Sequence, residues 1–146
     1  MSSTLTAMLQ PIPYLHFSGT CEEAVHYYEK VFGAKLRSIT RAGEAPACGQ
    51  LPAEFADKIL NAQLEMPGGA LLYAGDCPPH IPYQGMHGFG LTLNFDRVEE
   101  AEAIYHLLAE EGEVVMPFGP TFWAEKFGMV TDKYGVSWML NGVLQH

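Results

Sequence analysis

Two histidines stand where this sequence could support acid–base chemistry. His16 lies in the short aromatic segment 12–17, and His87 lies in a glycine-rich stretch ahead of an apolar run. Imidazole titrates near neutral pH, so a facing pair of rings could act as general base and general acid. The alternatives are a half-exposed polar residue or a dimer contact for His16, and an ordinary loop residue for His87. The sequence leaves open whether the two rings meet.

The cysteines suggest two further kinds of chemistry. Cys21 is expected at the start of a helix, where backbone donors and the helix dipole can lower the pKa of a thiol. Two glutamates follow it directly and oppose that effect, so a small residue filling a cap position is the favoured alternative. Cys77 and His80 have a Cys-x-x-His spacing, yet structural zinc needs four ligands. Three cysteines at irregular spacings, including Cys48, predict free thiols in a reduced compartment.

An aromatic segment in the second half could line a binding site. Trp123 lies beside Phe122 and is followed closely by Glu125, and Phe127 comes two residues later. An aromatic face next to a carboxylate suits a flat or cationic organic ligand. The alternative is that these rings, like Trp138, belong to the hydrophobic core, which is where such aromatics are more often found.

The first of these residues is positioned by a strand with two different faces. Leu15 and Phe17 alternate with Tyr14 and His16, so the two pairs must point to opposite sides of a sheet. If Leu15 and Phe17 pack against the helix that follows, Tyr14 and His16 point to the other side. This is the best functional inference that the residues themselves allow.

The predicted elements occur twice along the chain. The first half contains a strand at 12–17, a helix at about 21–32 that Gly33 ends, a strand at 35–41, and a hairpin of 59–66 with 70–74. Strand 89–95, a helix stopping near Gly112 and a hairpin within 130–140 follow in the second half, in which Asp132 is expected to form the turn.

Local sequence supports a true duplication. Glu22-Glu23-Ala24-x-x-x-Tyr28 returns as Glu99-Glu100-Ala101-x-x-x-Tyr105. Both helices carry an expected N-terminal cap, Thr20-x-x-Glu23 in the first and Asp96-x-x-Glu99 in the second. Each half therefore reads as strand, helix and three strands.

Composition limits the classes of protein to which the chain can belong. A chain of 146 residues with 48% hydrophobic residues predicts a single domain over 1–146, divided into module one (about 10–76), a connector (77–88) and module two (about 89–146). A net charge of -9 opposes binding to nucleic acid or anionic membranes. Without a basic-then-apolar leader or a long apolar run, a cytoplasmic location is expected.

Two longer motifs carry a family resemblance. The first motif, near the N-terminus, consists of Pro13-Tyr14-Leu15-x-Phe17-x-Gly19, Glu23-Ala24-x-x-x-Tyr28 and Phe32-Gly33-Ala34. The second motif lies near the C-terminus and reads Thr121-Phe122-Trp123-Ala124-Glu125-Lys126-Phe127-Gly128-x-Val130-Thr131-Asp132-x-x-Gly135-Val136-x-Trp138. The chain thereby resembles the PhnB-like branch of the vicinal oxygen chelate superfamily, which includes glyoxalase I, bleomycin-resistance proteins and extradiol dioxygenases. The resemblance covers nearly the whole chain.

The resemblance implies an α+β fold in which two βαβββ modules form a cupped eight-stranded mixed sheet with the helices outside and a ligand cavity on the concave side. Homodimers are common in the superfamily. Its metalloenzymes hold a divalent ion at positions that correspond here to Ile12, a residue near Leu72, Gly90 and Met139. None of these is a ligand for a hard metal ion, although Glu65 lies nearby and Asn61 stands where relatives often have histidine.

The expected function is therefore binding of a small organic molecule in the cavity, without a catalytic metal or another cofactor. The candidate ligand-binding residues are Tyr14, His16, Tyr73, His87, Trp123, Glu125 and Met139; no residue is assigned as catalytic or as a metal ligand. One alternative is a metal-dependent lyase, isomerase or dioxygenase using His16, His87, Glu65 or Glu125. Another is a resistance protein that sequesters an aromatic cationic drug.

Overall fold

The computed structural model describes residues 9–44 and 52–145, and its elements follow the predicted order. The first half contains β1 (Tyr14–Phe17), α1 (Cys21–Phe32), β2 (Lys35–Arg41), β3 (Ile59–Glu65) and β4 (Leu71–Asp76). The second half contains β5 (Leu91–Phe95), α2 (Val98–Ala109), β6 (Glu113–Gly119), β7 (Ala124–Thr131) and β8 (Ser137–Leu144). Short 3-10 turns occupy Ala42–Glu44 and Ala53–Phe55. Much of the predicted 42–52 loop, with Cys48, lies outside the described residues.

Each half builds its own four-stranded mixed sheet. Sheet A has the strand order β1-β4-β3-β2, and sheet B has the matching order β5-β8-β7-β6. The edge strands β1 and β5 run parallel to β4 and β8, whereas the remaining neighbours are antiparallel. This repeated order confirms the predicted duplication and the α+β fold class. The strands form two sheets of four within the chain rather than one continuous sheet of eight.

Helix α1 packs on sheet A, helix α2 packs on sheet B, and the two helices contact each other. Leu15 and Phe17 of sheet A are each 1% exposed and belong to the same core cluster as the buried face of α1. On the sheet B side, the rings of Tyr28 and Phe32 lie 5.6 and 4.8 Å from that of Trp138. The two helices therefore form one layer against both sheets, and no helix of residues 9–44 and 52–145 packs on the second face of either sheet. No helix in residues 9–44 and 52–145 has the length and apolarity to cross a membrane.

The start of α1 is capped by a residue distant in sequence. The predicted capping box is wrong, because Thr20 makes no side-chain cap hydrogen bond. Asp76, at the end of β4, instead accepts hydrogen bonds at Oδ1 from the N–H groups of Gly19 and Cys21, at 2.9 and 3.0 Å. Its other oxygen accepts one from the N–H of Ile59 at 2.9 Å. A buried carboxylate satisfied by three backbone donors thus ties the helix to the sheet beneath it.

Helix α2 also differs from the predicted capping pattern. It begins at Val98, after Arg97, and Arg97 makes no side-chain cap hydrogen bond. Glu99 and Glu100 still lie in the first turn, where carboxylates interact favourably with the helix dipole. The expected Asp96-x-x-Glu99 cap is therefore wrong, although the position of the helix is close to the prediction.

Asp132 does more than form the predicted turn. Its Oδ1 accepts hydrogen bonds from the N–H groups of Tyr134 and Val136, at 2.8 and 3.1 Å, as a turn former does. Its Oδ2 accepts from the Tyr28 hydroxyl at 2.6 Å and from the Trp138 indole N–H at 2.8 Å. Because Tyr28 belongs to α1, this carboxylate joins the two modules. Burial, followed by the charge of Asp132, holds the pKa of Tyr28 well above its usual range.

We predict that Asp132→Asn is strongly destabilising, because the amide replaces one accepting oxygen with a donor that faces two other donors. The free energy of unfolding, measured by urea denaturation at pH 7, should fall by about 3 kcal/mol. Tyr28→Phe should cost about 1 kcal/mol alone and much less on top of Asp132→Asn. The exposed Asp57→Asn is the matched control. Wild-type stability of the Asp132→Asn variant would contradict the inter-module role.

Candidate functional site

The face of sheet A opposite α1 carries aromatic and amide side chains. This surface, face A, consists of Tyr14, His16, Asn61, Gln63 and Tyr73. Tyr14 pairs with Tyr73, and Tyr73 pairs with Gln63, so these three lie in one row across β1, β4 and β3. As predicted, Leu15 and Phe17 are buried while Tyr14 and His16 are exposed on the other side. The alternation of the strand alone brings about this separation.

The ring of Tyr14 is held across its neighbouring strands. Its hydroxyl donates to the carbonyl oxygen of Leu60 at 2.9 Å, and its ring centroid is 4.8 Å from that of His16. A Cβ atom at Gly75 would come within 2.5 Å of the Tyr14 hydroxyl oxygen, so only glycine leaves room for this arrangement. Sequence reasoning missed Gly75, although a glycine inside a strand is a recognised sign of close approach.

The helix-free face of sheet B, face B, consists of Thr92, Asn94, Trp123, Phe127, Met139 and Asn141. Asn94 pairs with Asn141, and Asn141 pairs with Phe127, which gives a second row across three strands. Trp123 lies just before β7, with its ring centroid 5.1 Å from that of Phe127. Trp123 is partly exposed, whereas the Phe127 beneath it is only 7% exposed.

Hydrogen bonds link the polar residues of face B into a chain. The Trp123 indole N–H donates to Oδ1 of Asn141 at 3.0 Å. Nδ2 of Asn141 donates in turn to Oδ1 of Asn94 at 2.9 Å. Asn141 is 7% exposed, whereas Asn94, the last residue in this series of hydrogen bonds, is exposed. Sequence reasoning missed both asparagines, although an amide within an otherwise apolar strand was the available signal.

Two adjoining clefts run along the free edge of β5, where the modules meet. One has a volume of about 550 Å³ and is lined by the 10–13 segment, the β3–β4 turn, Thr92 and Trp138. The other has a volume of about 620 Å³ and is lined by Phe32, Asn94 and Ile104 among others. Each is large enough for a small organic molecule. Face B borders these clefts through Thr92 and Asn94, whereas Trp123 and Asn141 do not line them.

The other candidate residues are more scattered. His87 is exposed in the connector beside Gly88, and no ring contact or hydrogen bond joins it to His16 in the part of the chain that the structure describes. Glu125 is exposed on β7, on the same side of the strand as Phe127. Tyr83 of the connector donates its hydroxyl hydrogen to the carbonyl oxygen of His16 at 2.9 Å. The connector thus reaches β1 through Tyr83.

Comparison with known proteins identifies the family. Residues 13–140 match the model of the Glyoxalase/Bleomycin resistance protein/Dioxygenase superfamily. The chain belongs to this superfamily. It is 37% identical over 141 residues to the protein YjdN of Escherichia coli, covering 91% of this chain and 95% of YjdN.

Two solved structures of the superfamily agree with this assignment. Protein PA1353 from Pseudomonas aeruginosa is 45% identical, with a TM-score of 0.84 over 92% of this chain and 97% of PA1353. A PhnB protein from Bacillus cereus is 26% identical, with a TM-score of 0.73 over 91% of this chain and 98% of that protein. These likenesses support the resemblance to the PhnB-like branch that the two motifs indicate.

The side chains at the superfamily's metal positions do not fit a hard divalent ion. Ile12, Gly90 and Met139 offer no oxygen or nitrogen ligand, and Leu72 is 4% exposed and part of the core. Glu65, the nearby carboxylate, forms an ion pair with Arg37. Within residues 9–44 and 52–145, no three His, Cys, Asp or Glu side chains come together as a metal site. The histidines and glutamates named for the metalloenzyme alternative are therefore not gathered in one place.

The sulfur chemistry suggested by the sequence is not supported. Cys21 is fully buried, and its burial, followed by the charges of Asp76 and Glu22, raises the pKa of the thiol to about 12. The reactive-thiolate alternative is wrong, and the cap-position interpretation agrees with the hydrogen bond from the Cys21 N–H to Asp76. Cys77 directs its Sγ to the carbonyl oxygen of Ile81 at 3.5 Å.

Burial of Cys21 predicts a stability that depends on pH. The folded pKa of about 12 lies above the ordinary 9.0, so the unfolded chain loses this proton first as the pH rises. The contribution of the protonated Cys21 thiol to the free energy of unfolding is fully present below pH 9. Above pH 9 the free energy of unfolding should fall by about 1.4 kcal/mol per pH unit. Urea denaturation from pH 8.5 to 10 should show this slope in wild type and Cys77→Ala, but a flatter one in Cys21→Ala. An unchanged slope in Cys21→Ala would contradict the assignment.

Proposed function

We propose that this protein binds a small, flat organic molecule at face B and that binding needs no metal ion. The observation that carries the proposal is the position of Trp123. Its ring packs edge-to-face against Phe127, and its indole N–H donates a hydrogen bond to Asn141. The ring is nevertheless partly exposed on the face of sheet B that lies opposite the helices. The chain thus holds a large aromatic ring in place and leaves part of it accessible to a ligand.

A fixed and exposed aromatic ring favours ligand binding for two reasons. A ligand that stacks on Trp123 buries apolar area, which is the main source of affinity in small-molecule sites. Because the indole is already held by two contacts, little side-chain entropy is lost when the ligand arrives. Met139 lies on the same face and adds an adaptable apolar contact.

The charge of the chain narrows the class of ligand. Glu125 lies close to Trp123 in sequence and is exposed on the same side of β7 as Phe127. The whole chain carries a formal charge of -9. Neutral or cationic aromatic molecules are therefore favoured over anionic ones. Face A has a similar mixture of partly exposed aromatic and amide groups, so Tyr14, His16 and Tyr73 remain candidates for a second contact surface.

The absence of a catalytic metal is part of this proposal. Carbon side chains and a glycine occupy the positions at which the superfamily's metalloenzymes place histidine and glutamate. The hard ions of such sites bind oxygen and imidazole nitrogen, and these positions supply neither. We therefore assign face B to recognition of an organic ligand, with no catalytic step derived from it.

Titration with 2-acetylnaphthalene, followed by the two ¹⁵N-labelled tryptophan indole signals, tests the proposal. We expect the Trp123 signal to shift and that of the buried Trp138 to move much less. Trp123→Leu lacks this signal, so it is compared with wild type by isothermal titration calorimetry. It should bind at least tenfold more weakly, since aromatic stacking and apolar burial contribute about 1.5 kcal/mol or more. Phe89→Leu is the matched control, because Phe89 is 47% exposed and no contact of its ring with Trp123 is found among the described residues.

The same titration examines the role of metal. Binding should be equal in protein treated with EDTA and in protein supplemented with Mg²⁺, Mn²⁺, Ni²⁺ or Zn²⁺. Tighter binding with one of these ions, at one ion per chain, would overturn the metal-free part of the proposal. Failure of a panel of neutral and cationic aromatic molecules to shift the Trp123 signal would overturn ligand binding at face B.

We also propose that the protein is a homodimer. Faces A and B expose Tyr14 and Trp123 to solvent, and the edge strand β6 exposes Val114, Val115 and Met116 at 48%, 54% and 41%. An apolar edge strand is usually protected by another chain. Sedimentation velocity at micromolar concentration should give twice the chain mass of 16.1 kDa. A monomer at up to about tenfold higher concentration would contradict the dimer.

A further inference from the structure

The hydrogen-bonded chain on face B has a fixed direction. An indole nitrogen can only donate a hydrogen bond, so the atom of Asn141 that lies 3.0 Å from Trp123 Nε1 must be the amide oxygen. This conclusion depends on the chemistry of tryptophan and not on how the amide is assigned. The Asn141 side chain is 7% exposed, so it has little access to water that could satisfy a reversed amide.

The orientation of the Asn141 amide determines the orientation of the Asn94 amide. With its oxygen turned to Trp123, Asn141 presents its NH₂ group to Asn94 at 2.9 Å. A donor must face an acceptor, so the Asn94 oxygen is turned inward to Asn141. The Asn94 NH₂ group is then left on the outer side of an exposed residue, and no partner for it is found among the described residues.

We propose that face B selects ligands that carry a hydrogen-bond acceptor beside a flat apolar ring, and that Asn94 is the residue that reads this acceptor. The proposal rests on the proposed function, since it specifies the ligand of the same site. A carbonyl oxygen or a neutral ring nitrogen fits the outward NH₂ group of Asn94 while the ring contacts Trp123. A group that only donates meets another donor there and is disfavoured.

Two ligands of equal shape test the selection. 2-Acetylnaphthalene has a carbonyl oxygen where 2-isopropenylnaphthalene has a CH₂ group. The ketone is better hydrated, so a site that recognises apolar area alone would favour the alkene. We expect wild type to bind the ketone about 3- to 10-fold more tightly, as one net hydrogen bond allows. Kd values come from the Trp123 indole signal, with naphthalene as a reference for stacking alone.

Variants along the chain of hydrogen bonds locate the selecting group. Asn94→Leu should retain binding of the alkene and lose the preference for the ketone. Thr92→Val is the matched control on the same strand and face, and it should keep the preference. Asn141→Asp, measured at pH 8, should also abolish the preference, because its carboxylate accepts from both neighbours and turns the Asn94 oxygen outward.

The outcomes separate this inference from the proposed function. Equal or weaker binding of the ketone by wild type overturns acceptor selection while leaving aromatic binding at face B intact. A preference that survives in Asn94→Leu overturns the role of Asn94. If neither naphthalene derivative nor naphthalene itself shifts the Trp123 signal, the binding site is wrong and the inference falls with it.

Discussion

A buried carboxylate held by uncharged hydrogen-bond donors joins the two halves of this molecule. Asp132 belongs to the last hairpin of module two, but its Oδ2 accepts a hydrogen bond from Tyr28 of α1 in module one. Burial of a charge is costly unless hydrogen bonds replace its water shell, and Asp132 has four donors for this purpose. Two of these donors are side chains that must be in place together. The contact therefore depends on the correct packing of α1 against sheet B.

The same interaction determines which side chains reach face B. Trp138 donates its indole hydrogen to Asp132 and packs against Tyr28 and Phe32, so it must point toward the helical layer. Successive residues of a strand point to opposite sides, and Met139 and Asn141 are thereby turned to the helix-free face. A slip of one residue in β8 would turn Asn141 toward the helices and Trp138 toward face B. The hydrogen bond between the modules and the set of residues on face B are thus two consequences of one register.

Asp76 is a second buried carboxylate that accepts structural hydrogen bonds, and it lies in module one. Its carboxylate satisfies donors at the start of α1 and at the start of β3, which lie far apart in sequence. Asp76 thus joins α1 to its own sheet, whereas Asp132 joins the same helix to the sheet of the other module. The opposite faces of the sheets are freed from this structural role, so aromatic and amide groups such as Tyr14 and Trp123 can be partly exposed there.

Local sequence patterns were sufficient to predict the two modules and the bounds of α1. They also separated Tyr14 and His16 from Leu15 and Phe17. Such features follow from periodicity and turn residues, which act over a few neighbouring positions. The sequence also indicated Trp123 as a candidate. Only the tertiary structure decided that Asp76 caps α1, that Asp132 bonds Tyr28 and that Trp123, Asn141 and Asn94 form a directed chain. These contacts join residues from 18 to 104 positions apart, and no local pattern states which distant strand or helix will lie beside a given side chain.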